Sequence, residues 1–411
     1  MLLVLVLLLQ APPATCRDVA DCRAQAQAAA ARGDVESFHD LAWRAIQKGQ
    51  PNDPDLLQLV ARAQALSGRP GDAVVMLGRL ADLGVTTDAA TSQDFAVVRL
   101  LPAWAALEAK LAGTPAALTP SARASAPSAP APSPSVSPSS APAPPVTLDF
   151  AAPGIEARGL AHDAVSRRFV LGDRKAGRLL VIDEVSRRVV NYVSAASAGF
   201  YEDLTAFTVD ARRGDVWVVS AKGAGDASSS VLHKLQLVSG RGLLEARAGG
   251  SAPPLRLVDV AVTPEGVVYA IDAIDSRIVR LRPGTKTLEV VMRLDARRPT
   301  ALAAADDRTL YVAADGGLVR VDVAAKSATP VESVEALTAF ESLAWRGGAL
   351  LGVQRLAGSS LIVRIPLDGS GTRAQPRHVL AASPTATVGG LGGNAYYYLA
   401  DDHTIRRLPL R

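Results

Sequence analysis

The stretch Gly266-Val-Val-Tyr-Ala-Ile-Asp272, followed after three residues by Ser276-Arg-Ile-Val-Arg-Leu281, decides the fold of most of this chain. Both runs are rich in β-branched and aromatic residues, which favour extended backbone. Only the three residues Ala273 to Asp275 connect them. Two such runs with a short connection predict an antiparallel β-hairpin.

The same pattern recurs along residues 146–411. Five further pairs of short apolar runs, punctuated by Gly, Asp and Pro about every 44 residues, occupy residues 168–183, 215–235, 309–322, 349–365 and 395–408. A repeat of this length made of short strands is typical of a β-propeller, in which each hairpin belongs to one blade. Six hairpins therefore predict six blades.

The two ends of this region predict how the ring closes. The sixth repeat ends directly after its third strand, whereas an additional strand-like run, Val146-Thr-Leu-Asp-Phe150, precedes the first repeat. We expect this run to complete the sixth blade, because that pairing removes an open sheet edge.

Residues 146–411 resemble the gluconolactonase-like six-bladed propellers, also called the senescence-marker family, and the related NHL-repeat propellers. The segment Tyr269-Ala-Ile-Asp-Ala-Ile-Asp-Ser-Arg-Ile-Val-Arg280 is similar to an NHL strand pair. The resemblance implies one divalent metal in the central channel, held by a Glu, an Asn and an Asp, which polarises a lactone and activates water.

This chain departs from that ligand pattern. The position of the first-blade Glu corresponds to Arg158, and the Asn is absent from both Leu257-Val258-Asp259 and Pro299-Thr300-Ala301. Only Asp259 and Glu341 remain as weak metal candidates. The departure argues against the family reaction, and no catalytic residue is assigned.

Several polar residues precede or begin the predicted inner strands, where propellers commonly bind ligands. We predict a polar-ligand or cation site at the channel mouth from Glu156, Arg158, Asp203, Asp259 and Glu341. The alternative is that the acidic residues only cap turns and solvate the channel mouth. The five histidines are dispersed, without a His-Glu-x-x-His pair, a Gly-x-Ser-x-Gly elbow or a phosphate loop.

Residues 16–113 have the 3.6-residue periodicity of helices. Asp34, Asp53 and Pro70 are placed to begin three of them, and Gly49, Gly68 and Gly84 to end them. The segment from Asn52 to Val85 resembles one tetratricopeptide repeat. This resemblance implies a groove for a protein or peptide partner, and the alternative is a small helical core without such a groove.

Residues 114–145 are rich in Pro, Ala and Ser and carry Arg123 as their only charge, which predicts an extended spacer. The formal net charge of the chain is only +4, so its composition gives no indication of nucleic-acid binding. The order of helical head, spacer and propeller is similar to that of bacterial proteins that carry the gluconolactonase label without a demonstrated reaction.

Residues 2–9 form an apolar run that reaches only about 12 Å as a helix, too short to span a membrane. We therefore predict a signal peptide over residues 1–15 and export to the periplasm or the exterior. Both cysteines of the chain follow it, and Cys16 and Cys22 are predicted to form a disulfide. A lipid anchor on Cys16 is the alternative, which the preceding Pro13-Ala14-Thr15 disfavours.

The sequence as a whole predicts a multidomain α and all-β protein. The predicted function is that of an exported non-enzymatic binding or scaffold protein, in which the helical module and the propeller each offer a surface. No cofactor is expected. The alternative is a metal-dependent lactonase-like hydrolase in the propeller channel, with Ca or Zn held by Asp259, Glu341 and a third ligand at another position.

Overall fold

The computed structural model divides into two compact units, residues 1–125 and 126–411. The predicted signal peptide and the predicted linker lie outside the described residues. No helix within the described ranges is long and apolar enough to cross a membrane. The structure describes residues 16–50, 52–112, 147–152, 154–249, 253–401 and 403–410.

The first unit is helical throughout its described part, as expected. A short 3-10 helix, Gln93–Phe95, leads into its last two helices. The α-helices of this unit are α1 (Val19–Ala31), α2 (Val35–Lys48), α3 (Pro54–Leu66), α4 (Pro70–Asp82), α5 (Ala96–Arg99) and α6 (Trp104–Ala112).

Local sequence fixes where three of these helices begin. The Asp34 carboxylate accepts the Ser37 backbone N–H at 3.1 Å at the start of α2. Asp53 does the same for two N–H groups at the start of α3, and Pro70 is the first residue of α4. The predicted starts are confirmed. An N-cap carboxylate satisfies N–H groups that have no partner inside the helix.

The helices form antiparallel hairpins with a regular repeat. Helix α3 begins 35 residues after α1, and α4 begins 35 residues after α2. Phe38, Leu57 and Leu77 are completely buried between them. The array of α-hairpins is therefore present, and its assignment to the tetratricopeptide family stays a prediction.

Cys16 and Cys22 form a disulfide at the start of α1, with their Cα atoms 5.0 Å apart. Cys22 is fully buried in the helical core. The bond therefore ties the residues that precede α1 to the interior of the helical unit.

The described part of the second unit begins with β1 (Thr147–Asp149) and continues as repeated four-stranded antiparallel groups, which we call blades; the outer strands of the second and third blades also pair in parallel, which joins these two blades into one eight-stranded sheet. A short helix, α7 (Ala195–Ala198), connects the first two blades. Blade 1 consists of β2 (Ala157–Asp163), β3 (Arg168–Asp173), β4 (Arg178–Asp183) and β5 (Val189–Val193); blade 2 of β6 (Asp203–Asp210), β7 (Asp215–Lys222), β8 (Ser229–Gln236) and β9 (Gly242–Ala248); blade 3 of β10 (Leu257–Val262), β11 (Val268–Asp272), β12 (Arg277–Leu281) and β13 (Thr287–Arg293).

The other three blades repeat this order, and β1 supplies the fourth strand of the last one. Blade 4 consists of β14 (Ala301–Ala304), β15 (Thr309–Ala314), β16 (Gly317–Asp322) and β17 (Ser327–Pro330); blade 5 of β18 (Phe340–Arg346), β19 (Ala349–Leu356), β20 (Ser359–Pro366) and β21 (His378–Ser383); blade 6 of β22 (Gly389–Gly392), β23 (Ala395–Asp401) and β24 (Thr404–Pro409) with β1.

The blades form a closed ring. The first strand of each blade lies beside the first strand of the next, and that of blade 6 lies beside that of blade 1. The six predicted hairpins are the second and third strands of the six blades. The predicted closure is also present, since Leu148 of β1 pairs with Ile405 of β24.

Buried aliphatic and aromatic residues fill the spaces between consecutive blades. Leu160 and Leu171 of blade 1, for example, share one cluster with Tyr397 and Ile405 of blade 6. The two blades approach so closely that a Cβ atom on Gly390 would lie 1.9 Å from the carbonyl oxygen of Leu160. Glycine in β22 is therefore required for this contact.

The Asp that recurs at the end of the second strand stabilises the turn behind it. Asp272 accepts the backbone N–H groups of Ile274 and Asp275 and pairs with Arg277 at 2.7 Å. Asp173 of blade 1 pairs in the same way with Arg178. This contact explains the Asp that ends the second strand in blades 1 and 3.

Candidate functional site

The first strands of the six blades line a central channel with a cavity of about 250 Å³. Four of these strands, β2, β6, β10 and β18, contain a β-bulge near their start. A bulge changes the direction in which neighbouring side chains point, and such bulges are common beside functional sites. In β2 the bulge contains Gly159, whose φ is +73° and on which a Cβ would lie 2.8 Å from the Phe207 ring.

Three charged side chains line this channel, among the residues that the structure describes. Arg158 comes from blade 1, Asp259 from blade 3 and Glu341 from blade 5. All three belong to the set predicted from the sequence. They lie near the starts of alternate inner strands, so the same end of the channel is polar on three sides.

The Asp259 carboxylate is bound by backbone groups. One oxygen accepts the N–H of Val260 at 2.9 Å, and the other accepts the N–H of Leu302 in β14 at 2.7 Å. Burial raises the pKa of Asp259 to about 7, although the two N–H groups and the Arg158 charge act in the opposite direction. Asp259 is therefore close to half protonated at neutral pH.

Glu341 is held by a cation of its own blade. Its Oε1 lies 2.9 Å from the Arg355 Nε, and the Glu341 side chain is 30% exposed. Since Arg355 belongs to β19 and Glu341 to β18, this ion pair is a contact between adjacent strands. It leaves Glu341 at the channel wall with its charge already balanced.

Arg158 differs from the other two because its charge is not balanced by a direct contact. It forms no ion pair with any residue of the described ranges, and its buried Nε has no hydrogen-bond partner there. A buried nitrogen of this kind is uncommon and calls for an explanation. The guanidinium therefore presents an unused cationic group to the channel.

Glu156 and Asp203 are not among the residues that line the cavity. The Arg174 side chain lies between them, 3.2 Å from Glu156 and 2.7 Å from Asp203, and Arg256 also contacts Asp203. Burial acts to raise the pKa of Asp203, but the hydrogen bond from Arg174 and the charges of both arginines outweigh it and lower the pKa. These acids thus connect blades 1, 2 and 3 beside the channel.

The hydroxyl groups along the channel wall were not predicted from the sequence. Thr205 donates to the carbonyl oxygen of Val219 at 3.3 Å, and Thr300 donates to that of Phe340 at 2.8 Å. Both are one or two residues from the start of an inner strand. That position is the only sequence signal that marks them.

The polar end of the channel does not fit a divalent cation. The position of the first family ligand holds the Arg158 guanidinium, both Asp259 oxygens already accept backbone N–H groups, and Glu341 pairs with Arg355. Within the described ranges, no group of three or more His, Cys, Asp or Glu side chains is arranged to hold a metal. A cation placed here would meet a fixed positive charge.

No protein-family model matches the chain, and no curated protein matches it. Solved structures are similar to it. The major allergen Mala s 1 of Malassezia sympodialis has a TM-score of 0.51 at 14% identity, covering 65% of this chain and 96% of the allergen. A gluconolactonase from Xanthomonas campestris has a TM-score of 0.48 at 19% identity, covering 64% and 89%.

An aldose sugar dehydrogenase from Streptomyces coelicolor, with bound PQQ, has a TM-score of 0.44 at 14% identity, covering 65% of this chain and 99% of the dehydrogenase. The likeness to the allergen shows a shared fold. The gluconolactonase and the dehydrogenase have TM-scores below 0.5, so no conclusion about the chemistry of this chain is drawn from them.

Proposed function

We propose that the propeller is a non-enzymatic binding module whose channel holds a small organic anion. The observation that carries this proposal is the Arg158 guanidinium, which lines the channel cavity without an ion pair among the described residues. A carboxylate or phosphate accepts two parallel N–H groups from a guanidinium, and this charge-assisted contact is strong where water is scarce.

The two acids of the channel, Glu341 and Asp259, do not cancel the charge of Arg158, which favours an anionic ligand. Glu341 is neutralised by Arg355, and burial keeps Asp259 partly protonated at neutral pH. The channel wall therefore carries a positive surplus whenever Asp259 is protonated. A protonated Asp259 is also a hydrogen-bond donor, which suits a second oxygen of the ligand.

The opposite part of the channel wall is apolar. Val262, Ala304 and Leu391 line it near the ends of their strands, and Trp345 lies on the same side. A ligand with an anionic group at one end and a small apolar part at the other would satisfy both halves of the channel.

Isothermal titration of the full chain with butyrate, which has one carboxylate and a small apolar tail, tests this proposal. We expect saturable binding that Arg158→Gln weakens about tenfold or more, since it removes a charge-assisted contact. The matched control is Arg188→Gln, an exposed arginine on blade 1 that does not line the channel. Binding that both variants weaken equally, or that neither weakens, would contradict the proposal.

A second candidate is the lactonase-like hydrolase. One observation favours it, because a carboxyl whose pKa is raised to about 7 is suited to act as a general base at neutral pH. A titration with calcium or zinc, followed by a lactone-turnover assay, separates the two candidates. Turnover that depends on the metal and is abolished by Asp259→Ala would replace the binding proposal.

For the helical unit we propose a protein or peptide partner. The support is the pair of α-hairpins together with exposed apolar side chains at its end, Val97 and Leu100, which are 51% and 82% exposed. Apolar side chains of this size at a surface often mark an interaction site. Replacing both with Ser should weaken cross-linking to a partner captured by the full chain, whereas Thr91→Ser should not.

We also propose that the protein is exported. The Cys16–Cys22 disulfide supports this, because such bonds persist in oxidising compartments. Mass spectrometry of the mature protein from cell fractions tests it. An unprocessed N-terminus in the cytoplasm would contradict export, whereas a lipid on Cys16 would contradict the disulfide.

A further inference from the structure

A second cavity of about 300 Å³ lies where blade 6 meets blade 1, away from the channel. It is bordered by strands β1 and β24 and by two turns of blade 1. We call it the seam pocket, and the side chains that matter for its chemistry are Arg167, Phe169, Glu184, Arg187, Tyr397 and Arg407. Its volume is at the lower end of the range for small-molecule sites.

The seam pocket has more positive than negative charge. Arg167 is paired with Glu184 at 3.1 Å, which balances one of the three arginines. Arg187 has no ion pair among the described residues, and the partners of Arg407 are neutral: the Asn394 amide oxygen at 3.1 Å and the Tyr397 hydroxyl. Two guanidinium groups therefore border the pocket without an anionic partner in the described chain.

Polar atoms near the pocket also lack partners. The Arg407 Nε is buried and makes no hydrogen bond to a described residue. His162, whose side chain is 7% exposed, makes none with either ring nitrogen, and its nearest acid is Glu184 at 3.5 Å. His162 lies directly behind Phe169 and Tyr397, with ring centroids 4.7 and 4.8 Å away.

Glu184 does not balance the two free arginines. It is already bound to Arg167, and the interactions with His162 and Arg167 lower the pKa of Glu184 to about 2, so it stays ionised and engaged. The remaining cationic groups, Arg187 and Arg407, are open to an anion from solution.

The other walls of the pocket are apolar and aromatic. Phe169 and Tyr397 meet edge to face at 5.1 Å, and Leu148 and Ile405 add aliphatic surface. Flat aromatic molecules pack well against such rings. The walls thus accept a flat apolar body, and the arginines accept a charge attached to it.

We propose that the seam pocket binds a small aromatic carboxylate, whose ring packs against Phe169 and Tyr397 and whose carboxylate pairs with Arg187 and Arg407. Such a ligand would contact strand β1, strand β24 and blade 1 together. Because it binds only where these elements are assembled, it would stabilise the closed ring by mass action.

Benzoate is the probe for this proposal, with acetate as the anion without a ring and benzyl alcohol as the ring without a charge. Isothermal titration of the full chain should show benzoate binding. Acetate and benzyl alcohol should each bind at least about tenfold more weakly than benzoate. Arg187→Gln and Arg407→Gln should each weaken benzoate binding about tenfold, and benzoate should raise the melting temperature of the wild-type chain.

Arg188→Gln, next to Arg187 and also exposed, is the control and should leave benzoate binding unchanged. Because the channel proposal allows an organic anion at Arg158 as well, benzoate is also titrated into Arg158→Gln, where the binding lost in Arg187→Gln and Arg407→Gln should persist. Arg187 is on the surface, so its replacement leaves the core intact. Equal binding of acetate, loss of binding only in Arg158→Gln, or equal binding by wild type and both seam variants would overturn the proposal. The butyrate experiment on the channel is decided by Arg158→Gln and is therefore separate from these outcomes.

Discussion

Leu148 in the first strand of the propeller pairs with Ile405 in the last one, and both side chains are buried in the cluster between blades 6 and 1. Two residues from opposite ends of this unit therefore belong to one strand ladder and one hydrophobic core. The stability of the ring should depend on this contact.

Leu148→Ala should destabilise the propeller by about 2 kcal/mol, because it leaves a cavity in a buried cluster. In a unit of this size we expect the melting temperature to fall by roughly 4–8 °C in calorimetry. Val290→Ala, at a half-exposed position of β13, is the control and should change little. An unchanged melting temperature for Leu148→Ala would show that closure by β1 is dispensable.

The pH dependence of stability should reveal Asp259. Burial raises its pKa from 3.8 to about 7, so its stabilising contribution is complete below about pH 4 and is lost as the pH rises through 7. The full shift corresponds to about 4 kcal/mol, and water in the channel reduces the expected loss to about 2 kcal/mol. Asp259→Asn removes this titration.

Urea unfolding at a series of pH values measures the effect of that variant. The free energy of unfolding of Asp259→Asn minus that of the wild type should increase between pH 4 and pH 7 and then stay level. Asp315→Asn, at a half-exposed site, is the control and should show no such increase. A difference that does not change with pH would mean that Asp259 titrates normally.

His233 should affect the pH dependence of stability in the opposite direction to Asp259. It is 1% exposed, and burial lowers its pKa from 6.5 to about 4. Its contribution is therefore complete above about pH 6.5 and is lost as the pH falls through 4, by up to about 3 kcal/mol. Relative to wild type, His233→Gln should lose less stability on acidification in urea unfolding. The exposed His378→Gln should follow the wild type, and if His233→Gln does too, the assignment is wrong.

Gly390→Ala should destabilise the ring by roughly 1–3 kcal/mol, since the added methyl group would meet the backbone of Leu160 and force blades 6 and 1 apart. Thermal unfolding measures this. Gly242→Ala, where the same methyl group would have no atom within 4 Å, is the matched control. Similar melting temperatures for the two variants would contradict the close approach.

Much of the fold follows from local sequence. The second and third strands of each blade are recognisable because they are buried on both faces and rich in β-branched residues, as in Val268–Asp272. Helices α2 and α3 follow from their Asp caps. By contrast, the bounds of α1 were not assigned from the sequence, because its apolar residues are mostly alanines spread over several faces.

The outer strands of blades 1 to 5 were also not located from the sequence, unlike β1 of blade 6. Val189–Val193 and Ser327–Pro330, for example, are largely exposed, so no burial pattern marks them. The site was predicted in part, since Arg158, Asp259 and Glu341 line the channel. Glu156 and Asp203 do not, because both pair with Arg174, which is 18 and 29 residues away along the chain, and a sequence does not reveal such a distant partner.

The pairing of β1 with β24 also determines when the ring can close during synthesis. Asp149 cannot contact its partner Thr404, 255 residues further along, until the ribosome has synthesised the chain up to that residue. At cellular rates of synthesis this interval lasts roughly ten seconds or more, during which the first strand keeps an open edge. A product that is stalled or cut before β24 would keep that edge and lack a ring, so we expect proteases and chaperones to distinguish complete from incomplete chains at this strand.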